Sequence, residues 1–265
     1  MTTQHLDSLS NNWWYQRMRI VSMVPSWTET LLRAGIPVVG RTRFCIHPEE
    51  LVKNIPIVGG TKEVRWDMVE DLEPDLILLD KEENPLEMAE ESPCPYLATH
   101  VHSLETLQFE LQRLGTEFKN QQLISWSLQL QSILDRGPLR WNEENVPGLM
   151  EWVISPMRPG PRSVLYVIWK KPWMAVSKDT YIGSVLTQLG AEVVHFLHEE
   201  RYPVIEIEDF KETLILFSSE PYPFHKKIED LRKDGLAGAI VDGESYSWFG
   251  IRSLEFLKRC YRIKD

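Results

Sequence analysis

The feature that most constrains the fold is a repeating order of short apolar runs and helical patterns. Four apolar runs occur in the first half of the chain, and helical patterns at 67–72, 85–91 and 104–114 lie between or after them. The runs are "RIVSMV", "IPVVG", "DLILLD" and "PYLATHV". Runs that are apolar on both faces and alternate with helices are typical of parallel strands covered on both sides. The sequence therefore predicts an α/β domain.

A second series of the same kind begins at "SVLYVIW" and continues through a helix from Thr180, "AEVVHF", "TLILFS", a helix around 224–233, "GAIVD" and a helix from about Trp248. The segments "LEPDLILLDKEENP" (Leu72–Pro85) and "FKETLILFSSEPYP" (Phe210–Pro223) match at a constant offset. A repeat this long exceeds a solenoid unit and favours two α/β lobes of similar build.

Residue types typical of helix ends support these helices. Ser26 and Glu29 have the spacing of a capping box, and Asp179 is a candidate N-cap. Gly35 and Gly190 stand where a glycine ends a helix.

The segment between the two series predicts a single connecting helix. Its apolar stripe consists of Leu123, Trp126, Leu130, Ile133 and Leu134. We therefore predict an α/β fold with two Rossmann-like lobes, each with a parallel sheet, joined by one long backbone helix. The predicted boundaries are an N-terminal extension (1–18), an N-terminal lobe (19–115), the backbone helix (116–136), an irregular insertion (137–161) and a C-terminal lobe (162–265).

Composition excludes several classes of function. The net charge is 29 − 39 = −10, which disfavours binding to nucleic acid or to anionic membranes. Three cysteines without a CxxC spacing indicate no disulfide framework. No run reaches transmembrane length, and the first residues lack the apolar core of a signal peptide. We expect a monomer that is cytoplasmic as written, or periplasmic if the true start includes a signal peptide.

Several segments together resemble the helical-backbone, class III solute-binding proteins of cobalamin and ferric-siderophore ABC importers. They are "RIVSMVPSWTETLLRAG", "VVGRTRFCIHP", "VGGTKEVRWDMVEDLEPDLILL", "WKKPWM", "SSEPYPF" and "VDGESYSWFG". The resemblance extends from about Arg19 to the C-terminus and departs from the family at 140–161. It implies a class III periplasmic binding protein-like fold.

The resemblance also implies a non-catalytic protein that binds a metal chelate in the cleft between two lobes, with no required cofactor. The ligand would be a corrinoid, ahead of a ferric siderophore, with Phe44 as a stacking surface and His47 within reach. The other ligand-binding residues implied are Thr61, Lys62, Glu83, Asn84, Trp169, Trp173, Tyr222 and Trp248. Asp67 and Glu208 fall at the positions that dock onto an ABC permease in the family.

The stretch "RTRFCIHPEE" (Arg41–Glu50) leaves three interpretations open for Cys45 and His47. They are packing or hydrogen-bonding residues, or they contact the metal of a chelate, or they belong to a metal site built by the protein alone. We expect Cys45 to be a reduced, largely buried thiol. The alternatives to a binding protein are a cytoplasmic enzyme that uses Cys45 and His47, and a protein-interaction module. No P-loop, G-x-S-x-G or G-x-G-x-x-G motif supports an enzyme.

Overall fold

The computed structural model describes residues 18–155, 163–196 and 200–263. Most of the predicted N-terminal extension, and residues 156–161 of the predicted insertion, therefore lie outside the described residues. The chain forms two compact units. The first contains the described residues up to Val101 together with Thr106–Gln129 and Phe249–Ile251, and the second contains His102–Glu105, Leu130–Trp248 and the residues from Arg252 onward.

The first unit contains a five-stranded sheet in which every strand pair is parallel, as predicted. Its strands are β1 (Ile20–Ser22), β2 (Val38–Thr42), β3 (Ile57–Gly59), β4 (Leu76–Asp80) and β5 (Tyr96–Thr99). Their order in the sheet is β3-β2-β1-β4-β5. The strand order reverses between β1 and β4, and ligands of open α/β sheets bind beyond the carboxyl ends of the strands at such a reversal. Strand β3 has no counterpart among the predicted strands.

Helices connect these strands. They are α1 (Pro25–Arg33), α2 (Glu49–Val52), α3 (Trp66–Asp71), α4 (Leu86–Glu90) and α5 (Leu104–Glu117). Pro25 occupies the first turn of α1, where its missing N–H costs nothing. The predicted Ser26–Glu29 capping box is therefore wrong, because α1 begins one residue earlier, after Val24, without a side-chain cap.

The predicted connecting helix is shorter than 116–136. Helix α6 covers Gln121–Leu134, and the boundary between the two units falls inside it, after Gln129. A turn separates it from α5, because Lys119 has a φ of 48° and Asn120 Oδ1 accepts a hydrogen bond from the Leu123 N–H. Asparagine is among the best N-cap residues, and it starts the new helix here.

The second unit contains another five-stranded sheet, with a parallel centre and antiparallel edges. Its strands are β6 (Leu149–Ile154), β7 (Val164–Trp169), β8 (Met174–Val176), β9 (Leu214–Ser218) and β10 (Gly238–Val241). The order is β6-β10-β9-β7-β8. Strands β10, β9 and β7 pair in parallel, while β6 and β8 pair antiparallel to β10 and β7. The prediction of a purely parallel sheet is therefore correct only for the centre of this unit.

Three further predictions for this unit need correction. The predicted irregular insertion contains β6, which alternates little in polarity but supplies Val153 to the core. The predicted strand "AEVVHF" is reduced to an isolated bridge between Val193 and Val164.

The helices are α7 (Tyr181–Gln188), α8 (Ile228–Lys233), α9 (Gly243–Ser247) and α10 (Ile251–Cys260). Thr180, not Asp179, caps α7, because its Oγ1 accepts a hydrogen bond from the Gly183 N–H at 3.0 Å.

Each unit has its own apolar core against its sheet. Val21, Ile77 and Leu79 from the strands form the centre of the first, and Leu165, Ile215 and Phe217 that of the second. Among the helices that the structure describes, none combines the length and the apolar character needed to cross a membrane.

The sequence repeat corresponds to equivalent strands. Strands β4 and β9 occupy the same positions of the two matched segments, and each lies inside its sheet. At the carboxyl end of each strand, a side chain accepts a hydrogen bond from the N–H two residues later. Asp80 Oδ1 accepts from Glu82 at 2.9 Å, and Ser218 Oγ accepts from Glu220 at 3.4 Å.

Candidate ligand-binding site

The loop after β2, within the stretch "RTRFCIHPEE", presents an aromatic ring to solvent. Phe44 is 48% exposed, and the Arg43 guanidinium lies 4.8 Å from the centroid of its ring. Arg43 also forms an ion pair with Glu63. The exposed ring is therefore available for stacking, on a loop that begins at the carboxyl end of a parallel strand.

Cys45 on the same loop is fully buried. Thr28 Oγ1 donates a hydrogen bond to its Sγ at 3.0 Å, and Thr42 Oγ1 lies 3.1 Å from the same atom. Burial raises the pKa of the Cys45 thiol, and this outweighs the opposing hydrogen bonds. The expectation of a buried thiol is confirmed, and a neutral buried thiol is a poor nucleophile and a poor metal ligand.

His47 is half-buried. No group of three or more histidine, cysteine, aspartate or glutamate side chains is arranged to hold a metal ion within the described residues. Cys45 and His47 therefore belong to no such group in that part of the chain, and Cys45 packs within the loop.

Asn84 joins three loops at the carboxyl edge of the first sheet instead of facing a ligand. Its Oδ1 accepts a hydrogen bond from the Asp80 N–H at 2.9 Å. Its Nδ2 donates to the carbonyls of Met23 at 3.2 Å and Thr61 at 2.9 Å. Because the amide is buried and its donors and acceptor are used, Asn84 positions the loops.

The other predicted residues of this unit lie on the loops that Asn84 connects. Thr61 is half-buried, and its carbonyl is the acceptor for Asn84. Lys62 is exposed, and its Nζ donates to the carbonyl of Glu82 at 3.4 Å. Glu83 is half-buried and follows Asp80, to whose carbonyl its N–H donates.

Sequence reasoning missed Asp80, which is fully buried. Its Oδ2 accepts hydrogen bonds from Thr99 Oγ1 at 2.6 Å and from the Val101 N–H at 3.0 Å. Thr99 in turn accepts one from Trp27 Nε1 at 2.8 Å. Buried carboxylates are stable when several donors surround them, so this network holds the ends of β4 and β5 together. An aspartate ending an apolar strand was the only signal in the sequence.

In the second unit three of the predicted aromatic residues, Trp169, Trp173 and Tyr222, form one group with Phe224 beyond the carboxyl ends of β7 and β9. Trp169 is 39% exposed, and its ring is 5.5 Å from that of Tyr222. Trp173 is half-buried and stacks on Phe224 with centroids 6.0 Å apart. Trp173 is therefore mainly a packing residue, whereas Trp169 keeps much of its surface free.

A cavity of about 310 Å³ lies beside these rings, and we call it the lysine cavity. It is lined by Lys170, Lys171, Tyr222, Lys227, Asp230, Lys233 and Asp234. Lys170 pairs with Asp234 at 3.0 Å and also lies 4.8 Å from the centroid of Trp173. Lys171 and Lys227 have no ion-pair partner among the described residues. Sequence reasoning identified Tyr222 but missed the lysines, which are adjacent only in space.

Trp248 belongs to a polar network at the carboxyl end of β9. Its Nε1 donates to Glu220 Oε1 at 2.8 Å, and Ser247 Oγ donates to the same oxygen at 3.0 Å. Burial is the main cause that raises the pKa of Glu220, and the neighbouring Glu244 and Asp242 raise it further. Arg252 lies 5.3 Å from the centroid of Trp248 and pairs with Glu244 at 2.9 Å.

The two residues predicted to dock onto a permease are both exposed. Asp67 lies in the first turn of α3, and Glu208 lies in a 3-10 turn at Ile207–Phe210. Among the described residues, neither side chain forms a hydrogen bond or an ion pair.

Comparison with known proteins places the fold. No model of a protein family matches the sequence, and no curated protein matches it. Among solved structures, the heme complex of Staphylococcus aureus IsdE is similar with a TM-score of 0.69 and 17% identity, over 93% of this chain and 98% of that chain. A periplasmic heme-binding protein from Pseudomonas aeruginosa has a TM-score of 0.67 and 20% identity, over 94% of each chain.

The periplasmic vitamin B12-binding protein BtuF of Vibrio cholerae has a TM-score of 0.64 and 15% identity, over 91% of this chain and 94% of that chain. Similarity over almost the whole of both chains, at such low identity, identifies the fold. The chain therefore has the α/β fold of the class III substrate-binding proteins of ABC transporters, as the sequence resemblance predicted.

Proposed function

We propose that this protein binds a metal chelate without catalysing a reaction on it. The lysine cavity carries this proposal, because it combines ammonium groups with the half-buried ring of Tyr222 on the loops where α/β sheets bind ligands. The similar fold of the solved structures of a heme complex and of a vitamin B12-binding protein adds support. The buried, hydrogen-bonded Cys45 counts against a thiol enzyme.

We further propose that the chelate carries acid groups, as heme and many ferric siderophores do. Lys171 and Lys227 lack carboxylate partners among the described residues, so they are free to pair with acids of a ligand. A corrinoid with uncharged amide groups would gain less from them. We therefore propose a chelate with acid groups ahead of a corrinoid, whereas the aromatic residues alone favoured a corrinoid.

The lysine cavity accommodates one part of such a chelate. Its volume of about 310 Å³ lies at the lower end of the usual range for small-molecule sites. Tyr222 lines the cavity and would contact the ring that carries an acid group held there, and Trp169, whose ring packs against Tyr222, would extend that contact. Phe44 in the first unit remains our proposal for a stacking residue, and His47 for one within reach of the ligand.

The experiment is a titration of the purified protein with hemin, ferric siderophores, cobinamide and cobalamin, followed by tryptophan fluorescence. We expect hemin or a ferric siderophore to bind in the micromolar range or tighter. The Lys171→Ala/Lys227→Ala double variant should bind at least several-fold more weakly. Lys226→Ala is the matched control, since Lys226 is the exposed neighbour of Lys227 and does not line the cavity.

Two results would overturn the proposal. Absence of quenching by all four ligands would argue against chelate binding, and tight cobinamide binding that the double variant retains would argue against the acid-group preference.

Phe44→Ala should weaken binding several-fold, because stacking contributes about 1 kcal/mol beyond area burial. Asp67 and Glu208 remain proposed contacts to an ABC permease, testable by charge reversal in a binding assay with such a permease.

A further inference from the structure

A second cavity in the second unit has a different chemical character, and we call it the arginine cavity. Its volume is about 510 Å³. One wall is the segment 139–148, which the resemblance does not cover, and another is formed by α10 and the residues after it. No lining residue is shared with the lysine cavity. A ligand of the arginine cavity would therefore bind apart from the chelate proposed for the lysine cavity.

Three arginines line this cavity without forming ion pairs. The side chains of Arg140, Arg259 and Arg262 make no hydrogen bond or salt bridge with another described residue. By contrast, Arg113 and Arg232 each contact a carboxylate. The chain has 39 acidic residues and a net charge of −10, so three unpaired arginines around one cavity are not explained by a shortage of acids.

One acidic side chain lines the cavity, and it accepts a hydrogen bond from a neighbouring lining residue. Asp242 accepts a hydrogen bond from Ser245 Oγ at 2.5 Å. The lining therefore combines three guanidinium groups with one carboxylate, and its balance of charge is positive. An arginine fork matches the two oxygens of a phosphate or carboxylate group, which makes an oxyanion the natural partner.

Trp141 adds an independent observation. It lines the cavity, and its Nε1 is buried without a hydrogen-bond partner in the described part of the chain. Buried polar atoms rarely lack partners in native proteins, because an unmade hydrogen bond is costly. Indole nitrogen is only a donor, so the missing partner is an acceptor, which is again what an oxyanion supplies.

The wall that carries Arg140 and Trp141 is held at both ends. The Leu139 N–H donates to the Gln188 carbonyl at 2.9 Å, and the Asp242 N–H donates to the Gly148 carbonyl at 2.9 Å. Tyr246 Oη also donates to the carbonyl of Pro147 at 2.6 Å. A wall fixed in this way loses little entropy when a ligand binds.

We propose that the arginine cavity binds a small organic polyanion, with phosphate or carboxylate groups that meet the guanidiniums and accept from Trp141. The volume is within the usual range for small-molecule sites and exceeds what a bare phosphate ion occupies. The phosphate and carboxylate forms share this recognition chemistry, and separate probes distinguish them.

The test is isothermal titration of the intact chain with ADP, with pyrophosphate and with citrate at moderate salt. We expect one site with submillimolar affinity for at least one probe, and the preferred probe identifies the acid group. The Arg259→Ala/Arg262→Ala variant should bind at least tenfold more weakly, and Trp141→Phe, which keeps a ring but removes the donor, several-fold more weakly. Both arginines are exposed, so their truncation should leave the fold intact, which thermal unfolding of the free variant checks.

Arg136→Ala is the matched control, because Arg136 is another exposed arginine nearby that does not line the cavity. It should retain the affinity of the unmodified protein. Failure of all three probes to bind at millimolar concentration would overturn the proposal. An equal loss of affinity in Arg136→Ala would also overturn it, because the probe would then respond to the general positive charge of this surface and not to the cavity. Hemin or siderophore binding should be unchanged in the Arg259→Ala/Arg262→Ala variant, since that ligand is proposed for the lysine cavity.

Discussion

Thr99 Oγ1 donates a hydrogen bond to Asp80 Oδ2 across 2.6 Å and accepts one from Trp27 Nε1 across 2.8 Å. One hydroxyl therefore joins the end of β4, the end of β5 and helix α1. All three side chains are almost completely buried, so none of their polar atoms can turn to water if the hydroxyl is removed. Such a network is expected to stabilise the edge of the sheet from which the candidate loops leave.

We expect Thr99→Val to destabilise the protein by roughly 2 kcal/mol. Valine has nearly the same shape, but it leaves Trp27 Nε1 without an acceptor and removes one donor from Asp80. Urea unfolding followed by circular dichroism measures the change in the free energy of unfolding. Thr99→Ser is the control, because it keeps the hydroxyl, and it should lose clearly less. Equal losses for the two variants would contradict this prediction, because Thr99→Ser removes only the methyl group and keeps the hydroxyl.

Cys45 should resist modification in the folded protein. It is fully buried, and burial raises the pKa of its thiol, so little thiolate forms at neutral pH. Cys94 and Cys260 are only partly buried. After brief treatment with iodoacetamide, mass spectrometry should show a modified Cys94 and an unmodified Cys45, with all three cysteines modified in urea. Rapid modification of Cys45 without denaturant would contradict the buried thiol and reopen the enzyme alternative.

The fold was predictable because its signals are local. The apolar runs of β1, β2, β4 and β5 are continuous, and the repeat relates β4 to β9. Strand β6 was missed because "LMEWVI" carries a charge in the middle and has exposed residues on its outer face. The cap of α7 fell on Thr180 instead of Asp179, because adjacent residues of similar capping ability differ only in backbone conformation.

The candidate site was less predictable, because it depends on which distant residues meet. Asn84 has the sequence features of a ligand contact, yet its amide is consumed by Met23, Thr61 and Asp80. The lysine cavity brings Lys170 and Lys171 next to Lys227 and Lys233, and no sequence spacing indicates that meeting. The aromatic residues were easier to identify, because Trp169 ends β7 and Tyr222 lies in the loop that follows β9.

Two glycines that follow helices should respond differently to the same substitution. Gly35 and Gly190 have φ values of 74° and 85°, so Gly→Ala strains both by about 1 kcal/mol. A Cβ on Gly35 has nothing within 4 Å, whereas one on Gly190 would lie 1.9 Å from the Leu139 carbonyl oxygen. Gly190→Ala should therefore lower the free energy of unfolding by several times as much as Gly35→Ala, as measured by thermal or urea unfolding. Similar losses would mean that the 139–148 wall moves easily, which would also weaken the arginine cavity.

Glu220 should make the stability depend on pH just above the pKa of an ordinary glutamate. Burial, followed by the charges of Glu244 and Asp242, raises its pKa in the folded state above the ordinary value of 4.5. The folded state then binds more protons than the unfolded state between the two pKa values. The free energy of unfolding therefore falls as the pH rises through that interval, and the stability that Glu220 contributes is fully present only at lower pH.

Glu220→Gln keeps an oxygen that can accept from Trp248 and Ser247 but removes the titration. The variant should gain stability relative to the unmodified protein as the pH increases from 4.5 to 7, in urea unfolding at several pH values. Glu63→Gln, which removes an exposed carboxylate, is the control. A constant difference between Glu220→Gln and the unmodified protein across this range would show that Glu220 ionises as freely in the folded state as in the unfolded chain.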